Sequence, residues 1–286
     1  MKKKWIPVLV LAICTALFFA YRFYEQVGVD SKAPTISIWE EPGVVHAVSM
    51  TNLQAGLLQG VTASDNFDGD VTDSILVEQM GHITKDHQVQ VVYAASDDAG
   101  NVSKAYRTVQ LTDYVSPRFT LSAPLNFIYG TSDCDPLRYI GATDLVDGDI
   151  RHRIKLTLLD DSAITSEGIH NVLFRIYNSL GDVSELILPV EVYYPGRYEA
   201  QIFLTDYLVY LPLNSTFRPQ QYLYEYLAQG QITDLTHGLS QDMELTLTGT
   251  VDTSTPGVYP IGYTISYTKD GQTYYGYTTL IVVLEG

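Results

Sequence analysis

Apolar and polar residues alternate with a period of two through most of the chain beyond residue 33, and the alternation is punctuated by turn residues. Val89, Val91, Tyr93 and Ala95 lie on one face of such a run; Asp97-Asp98-Ala99-Gly100-Asn101 follows as a turn, and a second run covers 104–111. Strands joined by hairpins are therefore expected. The same order returns at 171–177, the turn Ser179-Leu180-Gly181-Asp182 and 185–192. It returns again where Tyr259, Ile261, Tyr263, Ile265 and Tyr267 alternate, Lys269-Asp270-Gly271-Gln272 turns, and 273–283 runs back. Tyr259, Tyr263 and Tyr267 share a face and are expected to line a core.

The first residues follow a different rule. Lys2, Lys3 and Lys4 precede an apolar run over 5–24 that is broken only by Pro7, Thr15 and Arg22. Seventeen to twenty such residues, at about 1.5 Å each, approach the roughly 30 Å bilayer core. The basic end is expected in the cytoplasm and the remaining chain outside. The segment reads as an uncleaved signal anchor, with a cytoplasmic tail at 1–4 and a polar linker at 25–32. Two other readings are cleavage at the small residues Cys14-Thr15-Ala16, and lipidation at Leu11-Ala12-Ile13-Cys14, where Ile13 is large for a lipobox.

A local repeat fixes the domain plan. A-S-D-N-F-D-G-D-V at 63–71 recurs as A-T-D-L-V-D-G-D-I at 142–150, a spacing of 79 residues that suits a small sandwich. Copies are expected at 33–113, 114–194 and, more diverged, 195–286. The order A-x-D-x-x-D-G-D-V, then Y-x-x-x-D-x-x-G-N-x-S, resembles the bacterial immunoglobulin-like domains first recognised in a pesticidal crystal protein. That resemblance implies an all-β chain of three tandem immunoglobulin-like β-sandwiches, of the kind found on Gram-positive surface proteins. It covers everything after the apolar segment, and it implies no particular activity.

Composition narrows the partners. Residues 23–286 carry 13 basic against 33 acidic side chains, so phosphate backbones are repelled and nucleic acid is excluded as a partner. Cys14 and Cys134 are the only cysteines, which leaves no disulfide framework. Cys134 is expected to be a small buried hydrophobe.

The sharpest candidate chemistry is the pair of acidic turns: Asp65, Asp68 and Asp70, with Asp144, Asp147 and Asp149. Acidic oxygens spaced around a glycine suit a hard cation, calcium. In the third copy Gln229-Gly230-Gln231-Ile232 keeps the glycine and loses the charges, which favours a structural turn capped by aspartate side chains. No other metal or cofactor is implied. The six histidines have no ligand spacing, and no nucleophile motif is present, so the chain is read as not an enzyme.

Twelve of the 22 tyrosines fall between Tyr198 and Tyr277. Tyr222, Tyr224, Tyr226, Tyr275 and Tyr277 are candidate ligand-binding aromatics, with ordinary sheet burial as the competing reading. The expectation is a non-catalytic, membrane-anchored stalk and interaction protein, acting in adhesion or as a scaffold for an envelope protein. The alternative is binding of a carbohydrate or cell-wall polysaccharide through the third copy.

Overall fold

The computed structural model describes residues 5–27, 30–131, 134–159, 164 and 166–285. The basic cluster Lys2–Lys4 lies outside the described residues. Helix α1 (Ile6–Val27) tolerates Pro7 in its first turn, where the missing N–H has no partner to lose. Thr15 donates its hydroxyl back to the Leu11 and Ala12 carbonyls at 3.0 and 2.9 Å, which satisfies it without a neighbour. The described side chains of α1, at 7–23, are all exposed. Among the described residues no helix is long and apolar enough to cross a membrane.

The rest of the chain is mostly β and falls into two compact units, 1–114 and 115–286. The first unit holds β1 (Thr35–Ile38), β2 (His46–Val48), β3 (Val61–Asp65), β4 (Gly69–Asp70), β5 (Leu76–Met80), β6 (Gln88–Ser96) and β7 (Val102–Leu111). They form two sheets, β1-β3-β4 and β2-β7-β6-β5. Every pairing is antiparallel except β2 with β7. The predicted alternation holds on β6, whose Val89, Val91, Tyr93 and Ala95 are buried with Val109 and Leu111 of β7 and with Val61 and Ala63 of the other sheet. Two sheets, antiparallel but for the β2–β7 pair, with side chains buried between them make an immunoglobulin-like sandwich.

A short helix, α2 (Leu53–Leu58), was not legible in the alternation. It buries Leu57, whose carbonyl accepts a 2.7 Å hydrogen bond from the Tyr93 hydroxyl. At Gly56 a Cβ would stand 2.8 Å from Val48 Cγ1, so glycine is needed for this close approach.

The first seven strands of the second unit repeat the plan. β8 (Arg118–Leu121), β9 (Asn126–Ile128), β10 (Ile140–Asp144), β11 (Gly148–Asp149), β12 (Lys155–Leu158), β13 (Gly168–Tyr177) and β14 (Val183–Tyr193) form sheets β11-β10-β8 and β12-β13-β14-β9. Strand for strand this is the order of the first unit, with β9 and β14 as the parallel pair.

The next seven strands are β15 (Ala200–Leu204), β16 (Leu208–Pro212), β17 (Leu223–Ala228), β18 (Gln231–Asp234), β19 (Met243–Thr248), β20 (Gly257–Lys269) and β21 (Gln272–Glu285). They differ in forming one sheet, β18-β17-β15-β21-β20-β19, with β16 also on β21. β15 meets β21 in parallel at Ala200 and Gly276, which joins the two layers.

Strand β21 also joins two cores. Leu280, Val282 and Leu284 lie in the core of the third copy with Tyr263, Ile265 and Tyr226. Ile281 and Val283, pointing the other way, lie in the core of the second copy with Phe119, Phe174 and Leu188. A strand buried on both faces reads as a continuous apolar run, which is the sequence Leu280-Ile281-Val282-Val283-Leu284. Each such side chain contributes roughly 1.5–3 kcal/mol on full burial.

Candidate ligand cleft and the aspartate turns

The turn between β14 and β15 brings Tyr193 and Tyr198 beside Tyr277 of β21. Tyr198 and Tyr277 stack with centroids 5.4 Å apart and planes 19° from parallel, and Tyr193 meets Tyr198 edge-on at 4.9 Å. With Tyr139 and Tyr207 they line a cleft of about 520 Å³ between the second and third copies, edged by Asn126, Glu199 and Gln201. Aromatic faces beside amide and carboxylate groups suit a ligand with both apolar faces and hydroxyl or amide groups.

Glu191 anchors this wall. Its Oε1 accepts from the Tyr198 hydroxyl at 3.3 Å and lies 3.7 Å from Arg197 Nη1. Its Oε2 is sealed from solvent without a donor. Burial raises its affinity for a proton, opposed by Arg197. Burial, followed by the Glu191 charge, pushes Tyr198 up to about 12, so its hydroxyl keeps its proton and donates. Glu191 also lines a neighbouring recess of about 280 Å³ that shares Asn126 and Tyr277 with the cleft.

Of the five tyrosines nominated by sequence, Tyr277 lines the cleft. Tyr222 and Tyr226 correct the expectation, because both are buried in the core of the third copy. Tyr226 is tolerated there because its hydroxyl donates to the Tyr274 carbonyl at 3.1 Å. Tyr224 and Tyr275 are exposed, away from the cleft lining. Tyr139, Tyr193, Tyr198 and Tyr207 were missed. Tyr193 and Tyr198 straddle the expected 194/195 boundary, and a junction rich in tyrosine was the available signal.

The aspartate turns are built alike. Asp65 Oδ1 accepts from the Phe67 and Asp68 N–H groups at 2.6 and 3.1 Å; Asp144 Oδ1 does the same for Val146 and Asp147 at 2.8 and 3.0 Å. Asp70 and Asp149 each cap the N–H two residues on, at Thr72 and Arg151. The Phe67 N–H leads the groups holding Asp65 below the ordinary carboxylate value, and the Thr72 hydroxyl does so for Asp70. Gly69, Gly148 and Gly230 take φ of 79°, 70° and 73°, so the persistent glycine answers a left-handed turn.

The second-copy aspartates meet protein donors. Asp147 Oδ2 accepts from Arg153 Nη1 and the Ser179 N–H, both at 2.6 Å, and Asp144 Oδ2 accepts from Asn178 Nδ2 at 3.1 Å. Burial opposes ionisation of Asp147, but the Ser179 and Arg153 bonds outweigh it and its pKa is lowered. In the first copy Asp65 and Asp68 converge with Asp30 and Asp97, with one carboxylate oxygen from each within 4.8 Å of the others. Among the described residues this is the one group of three or more His, Cys, Asp or Glu side chains close enough to hold a metal ion.

Cys134 is half-buried against the core of the second copy, with Sγ donating to the Ile164 carbonyl at 3.3 Å. Burial raises its pKa, which leaves an unreactive thiol.

No protein-family profile and no curated protein sequence matches the chain. Among solved structures it is similar to Drosophila N-cadherin EC1-4, at 12% identity over 90% of this chain and 76% of that one, with a TM-score of 0.23. Mouse cadherin-23 EC22-24 matches at 11% over 89% of this chain and 99% of that one, with a TM-score of 0.21. The CBM51-2 and INT domains of Clostridium perfringens ZmpB, in complex with GlcNAc, match at 14% over 87% of this chain and 44% of that one, with a TM-score of 0.22.

Proposed function

We propose that the chain is a non-catalytic interaction protein of a Gram-positive cell envelope, acting in adhesion or as a scaffold. In this reading its three sandwiches are tandem immunoglobulin-like domains of the pesticidal-crystal-protein type, at 33–113, 114–194 and 195–286. They stand outside the cell, and α1 holds them to the membrane. The exposed apolar side chains of α1, such as Leu9, Leu17, Phe19 and Phe23, favour a lipid surrounding.

The observation that carries the reading is the tyrosine cleft, set between two copies joined by strand β21. It is a preformed recess on a rigid support. The primary reading is capture of another envelope protein. The second reading is a sugar chain, favoured by the stacked Tyr198 and Tyr277 beside Asn126, Glu199 and Gln201.

The test is binding of the full chain to isolated envelopes before and after protease treatment, with the Tyr198→Ala/Tyr277→Ala double variant alongside. Loss of binding on protease treatment, and a loss of about tenfold or more in the variant, is expected. Binding that survives protease and falls in the variant selects the sugar reading. Binding indifferent to the variant removes the cleft from both.

A further inference from the structure

We propose that Asp30, Asp65, Asp68 and Asp97 bind one calcium ion in the first copy, and that the second copy fills the equivalent place with its own side chains. The inference stands apart from the tyrosine cleft. Oxygens within 4.8 Å of one another have the spread that ligands about 2.3–2.6 Å from a shared ion take. The residues arrive from three segments: the approach to β1, the turn after β3 and the β6–β7 hairpin. Asn101 Nδ2 ties two of these together, donating to the Asp30 carbonyl at 3.4 Å and to Asp97 Oδ2 at 2.8 Å.

Two features point to a cation. Asp65 Oδ1 serves the turn, while its Oδ2 is sealed from solvent without a donor; Asp30 Oδ2 is sealed in the same way. Buried carboxylate oxygens are ordinarily paired or bound to metal. Lys32 exerts a Coulombic pull on Asp65, but among the described residues it forms no ion pair with any of the four.

The second feature is the second copy itself, which shows what satisfies the same geometry without an ion. Asn178 stands where Asp97 stands, since each opens its hairpin by donating its N–H four residues on, to Asp182 and Asn101. Arg153 stands where Ser74 stands, third in the short 3-10 turn after the aspartates. The second copy thus sets a guanidinium on Asp147 and an amide on Asp144, where the first offers a carboxylate and a hydroxyl. One copy carries its countercharge covalently and the other takes it from solution.

The test titrates the full chain, stripped with a chelator, with calcium chloride in a calorimeter. The expected result is one ion per chain with Kd in the range of about 10⁻⁴–10⁻³ M usual for extracellular modules. Asp97→Asn, which gives the first copy the residue of the second, weakens binding about tenfold or more by removing a charged ligand. Asp149→Asn leaves it unchanged. In the unaltered chain the Phe67, Asp68 and Asp98 amides exchange with deuterium more slowly in calcium than in chelator, a readout that does not depend on the variants folding. The proposal is overturned by the absence of saturable heat up to about 10 mM calcium, by amide exchange indifferent to calcium, or by calcium binding that Asp149→Asn removes and Asp97→Asn spares.

Discussion

Tyr210 of β16 accepts a 2.9 Å hydrogen bond from the backbone N–H of Phe119 on β8, so a side chain of the third copy completes the backbone of the second. The Arg118 guanidinium lies 4.8 Å from the Tyr210 ring centre and pairs with Glu285. Burial pushes Tyr210 up to about 12, which keeps the phenol neutral. Tyr210→Phe leaves a buried donor without its acceptor and is expected to cost about 1–3 kcal/mol, read from urea unfolding. An unchanged midpoint would show the bond to be energetically idle.

Ile281 tests whether the shared strand couples the two copies. Ile281→Ala removes volume from the core of the second copy while the altered strand belongs to the third, and a loss of about 2–5 kcal/mol is expected. Calorimetry should show one transition for residues 115–286, moved as a whole. Two separable transitions, one of them unmoved, contradict the coupling.

The tyrosine corrections carry their own contrast. Tyr226→Ala opens a cavity among fully buried side chains and is expected to cost about 3–5 kcal/mol, as for other large aromatics. Tyr275→Ala, at an exposed site, should stay within about 0.5 kcal/mol. Thermal unfolding of the two variants side by side decides it.

Glu191 makes a prediction about pH. Its folded-state pKa is raised above the ordinary 4.5, first by burial. The folded chain therefore holds this proton over a window in which the unfolded chain has released it, and the contribution of Glu191 to stability falls as pH rises through that window. Glu191→Gln does not titrate. Its stability relative to the unaltered chain should increase from about pH 4 to pH 7, the range above the ordinary carboxylate pKa. A constant difference between the two midpoints would refute the raised value.

The strands were legible because a period of two is a local signal. The runs around Val89–Ala95 and Tyr259–Tyr267 gave β6 and β20, and 273–283 gave the returning strand β21, whose burial on both faces only the fold shows. Tyr222 and Tyr226, but not the exposed Tyr224, were misread for a local reason with a non-local cause. Alternation alone places them on one face, but in the β15–β17 pairing Leu204 faces Leu223 and Phe203 faces Glu225, so Tyr224 is skipped as a bulge and turned outward. Tyr222 precedes the strand in a 3-10 turn and points inward. Six residues are too few for α2 to show a helical period. Of the four clustered aspartates, Asp65 and Asp68 were legible from their turn; Asp30 and Asp97 escaped because each lies more than thirty residues from Asp65 in sequence, and only the fold brings them to it.

The two-faced strand has a consequence for biosynthesis. Residues 281 and 283 finish a core that began more than 160 positions earlier, at Phe119. The nascent second copy therefore waits, with apolar surface showing, until translation has passed Leu284 and the strand has cleared the ribosome. A chaperone arriving in that interval would find two half-closed sandwiches together, and a stop anywhere within β21 would leave both unfinished.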